Sequence, residues 1–439
     1  MVQTPASSTS IVIAAGIRSP QARAGVAFAQ EDAGHLGARV ARELIARANL
    51  DPGELDEVIV GCVGAPHDQA NIGRVIGLRA GVPWPVPART VARNCASGME
   101  AVTSAVAEIQ AGRGSAYLCL GVEVMSAYPL IVGRKMTAMF AKLMSARSLG
   151  ARLGVMSSFR PSFLAPRVSL LEGLTDPTTG LIMGSTAELI ARDAGLTRDA
   201  CDAFALQSHH RARDARDAGR FAREIVPHLP QGARPGSGSM EHDDGIRDDQ
   251  TLQALAKLRP YFEKPDGIVT VGNACGITDG ACALLITTEE RALDLGLTPL
   301  ARIRSTAWAG LDPARMGLGP VFASDIALER ADCRLADMGV VEINEAFAAQ
   351  VLACQAAFES DAFAKKHLGR SGAVGAVNPE KLNINGGAIA LGHPVGCTGA
   401  RLLLTTAHEM IEQDCELGLA TLCIGGGQGG AVILERVAA

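Results

Sequence analysis

Two cysteines of the sequence lie in surroundings that suit a reacting thiol. Cys95 follows Asn94 and precedes a helix-like run, and a thiol at the start of a helix meets unpaired backbone N–H groups that favour the thiolate. Cys423 ends an apolar stretch and opens the run GGGQGG, whose free N–H groups can face an oxyanion. Cys95, taken alone, could equally be a buried cysteine in a turn. Cys423 could instead end a strand before a phosphate-binding loop, but GGGQGG does not have the G-x-x-x-x-G-K-[ST] pattern of such loops.

A histidine and an asparagine add groups that move protons or hold water. His393 lies in GGAIALGHPVGCTGAR, where small neighbours let a substrate approach and Pro394 restricts the backbone. Such a histidine predicts a general base, although it could equally be a structural residue that caps a turn. Asn344 opens NEAFA after the apolar stretch MGVVEI. Its amide can hold a water or donate to an oxyanion, or it can cap a helix.

Alternating strands and helices must position these residues. The pattern predicts a strand at 11–16, a helix at 36–48 and a strand at 57–63, which favours α/β layers. Two segments repeat one unit of glycine-rich turn, helix and buried strand. The first has its helix at 101–111 before the strand AYLCLGVEV, and the second has its helix at 400–411 before LATLCIGGG. We interpret them as an internal duplication.

Length and composition restrict the class of protein. A chain of 439 residues is expected to form two or three domains. The net charge of -5 gives no indication of a nucleic-acid partner, and no apolar run reaches the length of a membrane helix. The first ten residues lack the pattern of a secretory signal. Eleven cysteines without a C-x-x-C pair predict reduced thiols, no zinc site and a cytoplasmic location.

Four sequence blocks together resemble the thiolase family, in that family's order. They are NCASGMEAV, NEAFA, GGAIALGHPVGCTGAR and CIGGGQGGA, and GIR at 245–247 and GNACGITDGACALL at 272–285 are similar too. The resemblance implies a layered αβαβα thiolase fold of two duplicated α/β halves plus a loop domain over the active site. It divides the chain into an N-terminal half at 1–127 and 278–297, a loop domain at 128–277 and a C-terminal half at 298–439.

The resemblance also implies roles for the residues. Cys95 would be the acylated nucleophile, and His393 and Cys423 the acid/base pair. One oxyanion hole would consist of the His393 ring and a water held by Asn344, and the other of the N–H groups of Cys95 and Gly425. The expected substrates are acyl-CoA and coenzyme A, with no tightly bound cofactor and no metal.

Coenzyme A is expected to contact Met183, Arg247 and Cys275. Two positions in these segments, Cys275 and Ile182, depart from the family's usual pattern. Cys275 stands where thiolases usually carry serine, and a thiol is a weaker hydrogen-bond partner. Ile182 precedes Met183 where many thiolases have histidine. Both departures concern binding more than chemistry.

The favoured activity is cleavage of 3-ketoacyl-CoA with a medium or long acyl chain in fatty-acid β-oxidation. The alternative is an acetyl-CoA C-acetyltransferase that forms or cleaves acetoacetyl-CoA. Ketoacyl synthases resemble thiolases in fold but need no second catalytic thiol, so Cys423 argues against that class. A non-catalytic membrane-binding or partner-binding subunit is a further alternative, which the three intact reactive residues disfavour.

The segment 131–171 has an unusual charge pattern. It contains seven basic residues and no acidic one, and five apolar residues follow one helix face: Met136, Met139, Phe140, Leu143 and Met144. A basic amphipathic helix predicts contact with a membrane surface or a partner, although it could equally be a lid packed on its own subunit.

The same segment resembles the β subunit of the trifunctional fatty-acid-oxidation complex. That resemblance implies a hydratase/dehydrogenase α-subunit as a partner, whereas those proteins usually carry histidine where this chain has Asn344. A homodimer or homotetramer is expected.

Overall fold

The computed structural model describes residues 9–234 and 236–437, and its elements form three groups. The first group precedes the long excursion of the chain: β1 Ile11–Arg18, β2 Ala22–Arg23, α1 Ala33–Arg47, β3 Glu57–Gly61, α2 Ile72–Ala80, β4 Ala88–Val91, α3 Ser97–Gln110 and β5 Ala116–Val124. The excursion contains β6 Leu130–Val132, α4 Arg134–Ser145, α5 Leu149–Ser157, β7 Pro166–Val168, α6 Ser169–Gly173, α7 Met183–Asp193, α8 Arg198–Asp217 and α9 Leu252–Ala256. The remainder consists of β8 Thr278–Thr288, α10 Glu289–Asp294, β9 Ala301–Gly310, α11 Gly319–Ala331, β10 Val340–Ile343, α12 Ala348–Phe358, α13 Asp361–Phe363, α14 Ala388–Leu391, α15 Val395–Glu412, β11 Leu417–Ile424 and β12 Gln428–Glu435.

Hydrogen bonds link ten strands into one sheet whose two halves, here called the first and second sheets, have like topology and meet at one short pairing. Strand β2 pairs with β8 in the first of them, and β6 and β7 form a separate two-stranded ribbon. The order in the first is β4-β3-β5-β8-β1 and in the second β10-β11-β12-β9, and they join where Val12 pairs with Arg302 and Ile13 with Ala301. In the first sheet β3 pairs with β5 in parallel, whereas the pairs β5–β8 and β8–β1 are antiparallel. In the second sheet β10 pairs with β11 in parallel, whereas the pairs β11–β12 and β12–β9 are antiparallel. A single parallel bridge from Leu382 to Val341 takes the place that β4 has in the first sheet. The predicted duplication is therefore confirmed.

The helices and sheets stack in five layers. Helices α1 and α2 cover the outer face of the first sheet, and α11 and α12 cover the outer face of the second. Helices α3 and α15 lie between the two sheets, in a core to which both sheets contribute. Successive strand residues face different layers: Leu118 packs outward and Cys119 inward, because side chains alternate along a strand. The predicted αβαβα architecture is confirmed.

Small residues allow the two central helices to approach closely. A Cβ added to Gly399 would lie 2.5 Å from the backbone nitrogen of Met99, and one added to Gly98 would lie 2.8 Å from the nitrogen of Ala400. The first turns of α3 and α15 therefore lie against each other. Since Cys95 precedes α3 and His393 precedes α15, this crossing brings the two reactive residues to one end of the central layer.

The predicted element boundaries were wrong at the starts of these two helices. The pattern placed them at 101 and 400, whereas α3 begins at Ser97 and α15 at Val395. The glycines and serine of these first turns are typical of loops by local preference, but here they form the helix because the close crossing requires small residues. Within residues 9–234 and 236–437, no helix combines the length and apolar character needed to cross a bilayer.

Candidate active site

A tight turn presents Cys95 between β4 and α3. Asn94 adopts a left-handed backbone with φ of 43°, which is uncommon for a residue other than glycine. Its carbonyl accepts hydrogen bonds from the nitrogen of Ser97 at 3.0 Å and from the hydroxyl of Ser97 at 2.8 Å. Its side-chain amide donates to the carbonyl oxygen of Gly425 at 2.7 Å. The turn therefore ties Cys95 to the glycine-rich loop after β11.

The resting thiol of Cys95 is protonated. Burial raises its pKa above the ordinary value, and this effect exceeds the lowering by the backbone N–H groups of Gly425 and of Cys95 itself. The thiolate expected from a position at a helix start is therefore wrong for the resting enzyme. The helix begins two residues later, at Ser97, and removal of the thiol from water outweighs the two N–H groups. A base is needed to generate the nucleophile.

His393 has the properties of that base. Its Nδ1 lies 2.7 Å from the hydroxyl oxygen of Thr398, and that hydroxyl donates in turn to the carbonyl of Pro394 at 3.1 Å. Thr398 therefore accepts from Nδ1–H, which leaves the lone pair on Nε2, an atom that is buried and has no partner within the described residues. Burial and the charge of Arg401 lower the pKa of His393 to about 3, so the imidazole is neutral.

Asn344 presents a side-chain amide with unused hydrogen-bonding capacity. Its backbone nitrogen donates to Thr421 at the end of β11, which holds the residue against the strand that carries Cys423. Both Nδ2 and Oδ1 are buried and have no partner among the residues described. Buried polar atoms of this kind normally bind protein or water, so the amide is suited to hold a water or a substrate oxygen.

Cys423 supplies a second protonated thiol. The residue ends β11, is 1% exposed and has Cys95, Cys354 and Cys275 among its neighbours. Burial raises its pKa well above the ordinary value, and the neighbouring thiols raise it further. A neutral thiol close to the nucleophile can act as a proton donor.

The residues expected to contact coenzyme A lie at different distances from this centre. Met183 begins α7 at the glycine loop, where its sulfur would lie 3.3 Å from a Cβ on Gly425. Cys275 donates its backbone N–H to the carbonyl of Ala346, and burial, followed by the neighbouring titratable thiol of Cys95, raises the pKa of Cys275 to about 12. Both residues therefore lie beside the reactive thiols.

Arg247 lies against α8, in a segment that packs on the approach to His393. Its backbone N–H donates to Nδ1 of His209 on α8 at 3.2 Å. The preceding Gly245 packs against the carbonyl of Ala390, in the segment that leads to His393. The structure therefore places Arg247 beside α8 and near the segment that leads to His393.

Two buried carboxylates hold the site together, and the sequence reasoning missed both. Glu345 accepts hydrogen bonds from the hydroxyl of Ser208 at 2.6 Å, the amide of Asn383 at 2.9 Å and the nitrogen of Ile389 at 3.2 Å. It therefore connects the Asn344 turn to α8 and to the segment before His393. Its only signal in the sequence is its place inside NEAFA.

Glu123 holds the start of α15 in the same manner. Its carboxylate accepts from the nitrogens of Val63, Gly64 and Gly396 at 3.0, 2.9 and 3.0 Å and from the hydroxyl of Tyr128 at 3.0 Å. Gly396 lies three residues after His393, so this carboxylate positions the histidine loop. A lone glutamate in an apolar strand was the signal that could have indicated it.

Among the described residues, no group of three or more His, Cys, Asp or Glu side chains could hold a metal ion.

Comparison with known proteins gives consistent matches over the whole chain. Residues 11–290 match the family model "Thiolase, N-terminal domain" and residues 297–436 match "Thiolase, C-terminal domain". The 3-ketoacyl-CoA thiolase of Aeromonas salmonicida is 39% identical over 427 residues, which cover 97% of this chain and 96% of that protein.

Two solved structures are similar in fold as well. Bacillus anthracis acetyl-CoA acetyltransferase has a TM-score of 0.84 at 36% identity, covering 98% of this chain and 99% of that one. Human mitochondrial 3-ketoacyl-CoA thiolase in complex with CoA has a TM-score of 0.83 at 34% identity, covering 98% of each chain.

Proposed function

Since this chain belongs to the thiolase family of acyltransferases, we propose that it cleaves 3-ketoacyl-CoA and transfers the shortened acyl group through Cys95 to coenzyme A. The observation that carries this proposal is the pairing of a neutral, buried His393, whose Nε2 is free, with two protonated thiols at one site. A thiol nucleophile, a base and a second proton donor are the groups that this reaction needs.

The first half-reaction breaks the carbon–carbon bond of the substrate. His393 takes the proton of Cys95 on Nε2, and the thiolate sulfur attacks the keto carbon. Collapse of the resulting oxyanion breaks the bond to the α-carbon and leaves a thioester on Cys95. The released carbanion takes the proton of Cys423 and leaves as acetyl-CoA.

The two oxyanion holes consist of groups that are unpaired or already directed at the site. The N–H groups of Gly425 and Cys95 face the sulfur of Cys95, next to the carbonyl of a bound acyl group. Once His393 has taken the proton of Cys95, its Nε2–H can donate to the second oxyanion. A water held by the Asn344 amide completes this hole, since Nδ2 and Oδ1 of Asn344 have no partner among the described residues.

The second half-reaction returns the enzyme to its starting state. The proton on His393 passes to the thiolate of Cys423, so that His393 is neutral again. His393 then takes the proton of the coenzyme A thiol, whose sulfur attacks the thioester carbonyl. The new acyl-CoA leaves, and Cys95 recovers a proton. In the direction of condensation, the thiolate of Cys423 removes the α-proton of acetyl-CoA.

Coenzyme A is a substrate here and not a resident cofactor. We assign Met183 and Cys275 to its reactive end, because both lie beside the thiols. Arg247 is assigned to a more distant part of the molecule, next to α8. This assignment places the acyl group between the glycine loop and the loop domain.

Acetyl-CoA C-acetyltransferase activity is the second candidate, and the likeness to the Bacillus anthracis acetyl-CoA acetyltransferase favours it. The experiment is thiolysis of 3-ketoacyl-CoA substrates of increasing chain length with coenzyme A in excess. We expect kcat/KM to rise from acetoacetyl-CoA to medium and long chains. Cleavage restricted to acetoacetyl-CoA would support the second candidate and contradict the first.

The organisation of the chain is proposed on the same basis. The division at 1–127 with 278–297, 128–277 and 298–439 agrees with the excursion between β5 and β8.

A homodimer or homotetramer and a hydratase/dehydrogenase α-subunit are the protein partners, and residues 131–171 contact a membrane surface. Eleven free cysteines support a reducing compartment, the cytoplasm. Mass measurement in solution, with and without the α-subunit, tests the assembly.

A further inference from the structure

The two N–H groups of one oxyanion hole come from distant parts of the chain. Cys95 lies between β4 and α3 in the first half, whereas Gly425 follows β11 in the second. We call this pair of donors the acyl oxyanion hole, because both face the sulfur that carries the acyl group. Donors of this kind are effective only when they are held about 2.7–3.1 Å from the oxyanion, so Gly425 must be aligned with Cys95.

The side chain of Asn94 connects these two residues directly. Its Nδ2 donates to the carbonyl oxygen of Gly425 at 2.7 Å, across 331 positions of the sequence, and Asn94 itself is bonded to Cys95. Glycine has the freest backbone of all residues, and Gly426 and Gly427 continue the loop with φ of 89° and 78°. The direction of the Gly425 N–H therefore depends on contacts from outside the loop, and Asn94 supplies one of them.

The backbone conformation of Asn94 does not by itself require an amide side chain. Its φ of 43° lies in the left-handed region, which glycine occupies without strain and asparagine tolerates. The hydrogen bonds from Ser97 that close the turn are accepted by the main-chain carbonyl of Asn94. A glycine would therefore satisfy the turn, and what the asparagine adds is the donor to Gly425.

Arg93 holds the other end of the glycine loop. Its Nη1 donates to Oε1 of Gln428 at 2.9 Å, and its Nε donates to Glu100 of α3 at 2.6 Å. The guanidinium carbon lies 4.3 Å from the centre of the Trp308 ring on β9. Two consecutive residues before Cys95 thus bind the glycine loop at Gly425 and at Gln428, where β12 begins.

We propose that Asn94 is a positioning residue of the acyl oxyanion hole, which fixes Gly425 relative to Cys95 while Arg93 anchors the far end of the loop. The inference rests on the proposed acyl transfer and adds a residue that acts through Gly425. Because the Asn94 side chain is exposed, its hydrogen bond contributes little to the stability of the fold. Its loss should therefore appear in the rate of acyl transfer.

The test removes the amide without straining the backbone. Asn94→Gly keeps the left-handed conformation and deletes the donor, whereas Asn94→Asp places a carboxylate opposite the Gly425 carbonyl. Asn49→Gly is the matched control, because Asn49 is an exposed asparagine with φ of 47° after α1.

Three readouts separate positioning from other roles. The first is the pre-steady-state rate at which acetyl-CoA acylates Cys95, and the second is kcat and KM for thiolysis of acetoacetyl-CoA. The third is exchange of the α-protons of acetyl-CoA with deuterated water on the acylated enzyme. That exchange uses Cys423 and the other oxyanion hole, so it does not depend on the alignment of Gly425.

Asn94→Gly should slow acylation by about tenfold, less than the roughly 100-fold expected when a donor is lost outright, because both N–H groups remain. Asn94→Asp should slow it further, since the carboxylate repels the carbonyl. In both variants kcat should fall in parallel while KM for coenzyme A, α-proton exchange and the thermal midpoint stay unchanged. Asn49→Gly should match the unchanged protein in every measurement.

Normal acylation in Asn94→Gly would overturn this inference and leave the proposed function intact. An equal loss of acylation and α-proton exchange would indicate a general structural role and overturn it too. A raised KM for coenzyme A with normal kcat would show that Asn94 contacts the substrate instead. If acetyl-CoA failed to acylate even the unchanged protein, the proposed function would be wrong, and this inference with it.

Discussion

At the scale of residues, the site depends on proton positions that burial controls. Cys95 and Cys423 are protonated at rest, and His393 is neutral with its free lone pair on Nε2. Negative charge therefore develops in the site only after substrate has bound. The N–H groups of Gly425 and Cys95 can then stabilise it. If the resting enzyme held a thiolate–imidazolium pair, these N–H groups would already stabilise the thiolate. They would then lower the energy of the transition state less, relative to the resting state.

The two thiols are expected to behave differently when changed to serine. Cys95→Ser should abolish acylation by acetyl-CoA, whereas Cys423→Ser should still become acylated and lose roughly 100-fold or more in turnover, because a hydroxyl is a far weaker acid. Peptide mass mapping after incubation with acetyl-CoA checks the first step. An acyl group found on Cys423 would reverse the two roles.

The base gives a pH-dependent prediction. Because the pKa of His393 is lowered to about 3, the imidazole stays neutral at pH 5 and above, so we expect no loss of activity from its protonation between pH 7 and about pH 5. His393→Asn should slow alkylation of Cys95 by iodoacetamide at least about tenfold at neutral pH. The difference should shrink as pH rises toward the raised pKa of Cys95, since hydroxide then replaces the base. Equal rates at neutral pH would exclude this role.

Thr398 is expected to act through His393. Thr398→Val removes the acceptor for Nδ1–H, frees the ring to change tautomer and should lower kcat at least about tenfold with a smaller effect on KM. Thr398→Ser keeps the hydroxyl and should restore most activity. A valine variant with normal kcat would show that the hydrogen bond does not orient the ring.

At the scale of elements, the crossing of α3 and α15 decides where the reactive residues meet. Gly399→Ala would place a methyl group 2.5 Å from the nitrogen of Met99, and backbone atoms cannot move aside as a side chain can. We expect a loss of about 1–3 kcal/mol in the free energy of unfolding together with reduced turnover. The control is Gly154→Ala in α5, which has open space and should be neutral or slightly stabilising. Denaturant unfolding measures both, and an equal effect of the two changes would contradict the crossing argument.

At the scale of the whole molecule, a buried carboxyl connects stability to pH. Glu342 on β10 and Arg401 on α15 are both about 1% exposed, and Nη1 of Arg401 lies 3.5 Å from Oε2 of Glu342. Burial raises the pKa of Glu342 to about 8, so between its unfolded value and pH 8 the folded state binds one proton more than the unfolded state. This group therefore makes stability fall as pH rises.

Glu342→Gln removes that proton linkage. The variant should gain in melting temperature relative to the unchanged protein, and the gain should increase from about pH 5 to about pH 8. Asp337→Asn, at an exposed 3-10 turn, should show no such increase. A gain for Glu342→Gln that is constant with pH would contradict the raised pKa.

The sequence by itself determined the residue types, their order and the architecture of this protein. Apolar runs alternating with helical periods predicted layered α/β halves, and two like units predicted the duplication that the sheet topology confirms. Residues close together in the sequence were enough to predict the architecture, because turns, apolar strands and amphipathic helices each have a characteristic local pattern. The blocks around Cys95, Asn344, His393 and Cys423 predicted a thiolase for the same reason.

Only the tertiary structure decided the protonation states of the reactive residues and the hydrogen bonds that hold the site in place. The thiolate predicted for Cys95 was wrong because burial, which depends on segments far away in the chain, outweighs the helix start. Glu123 and Glu345 hold the site through donors from distant loops, and no local pattern encodes such long-range partners. The exposure of Met144 and Leu149 was also undecided, because a helical apolar stripe has one sequence pattern whether it meets a core, a partner or a membrane.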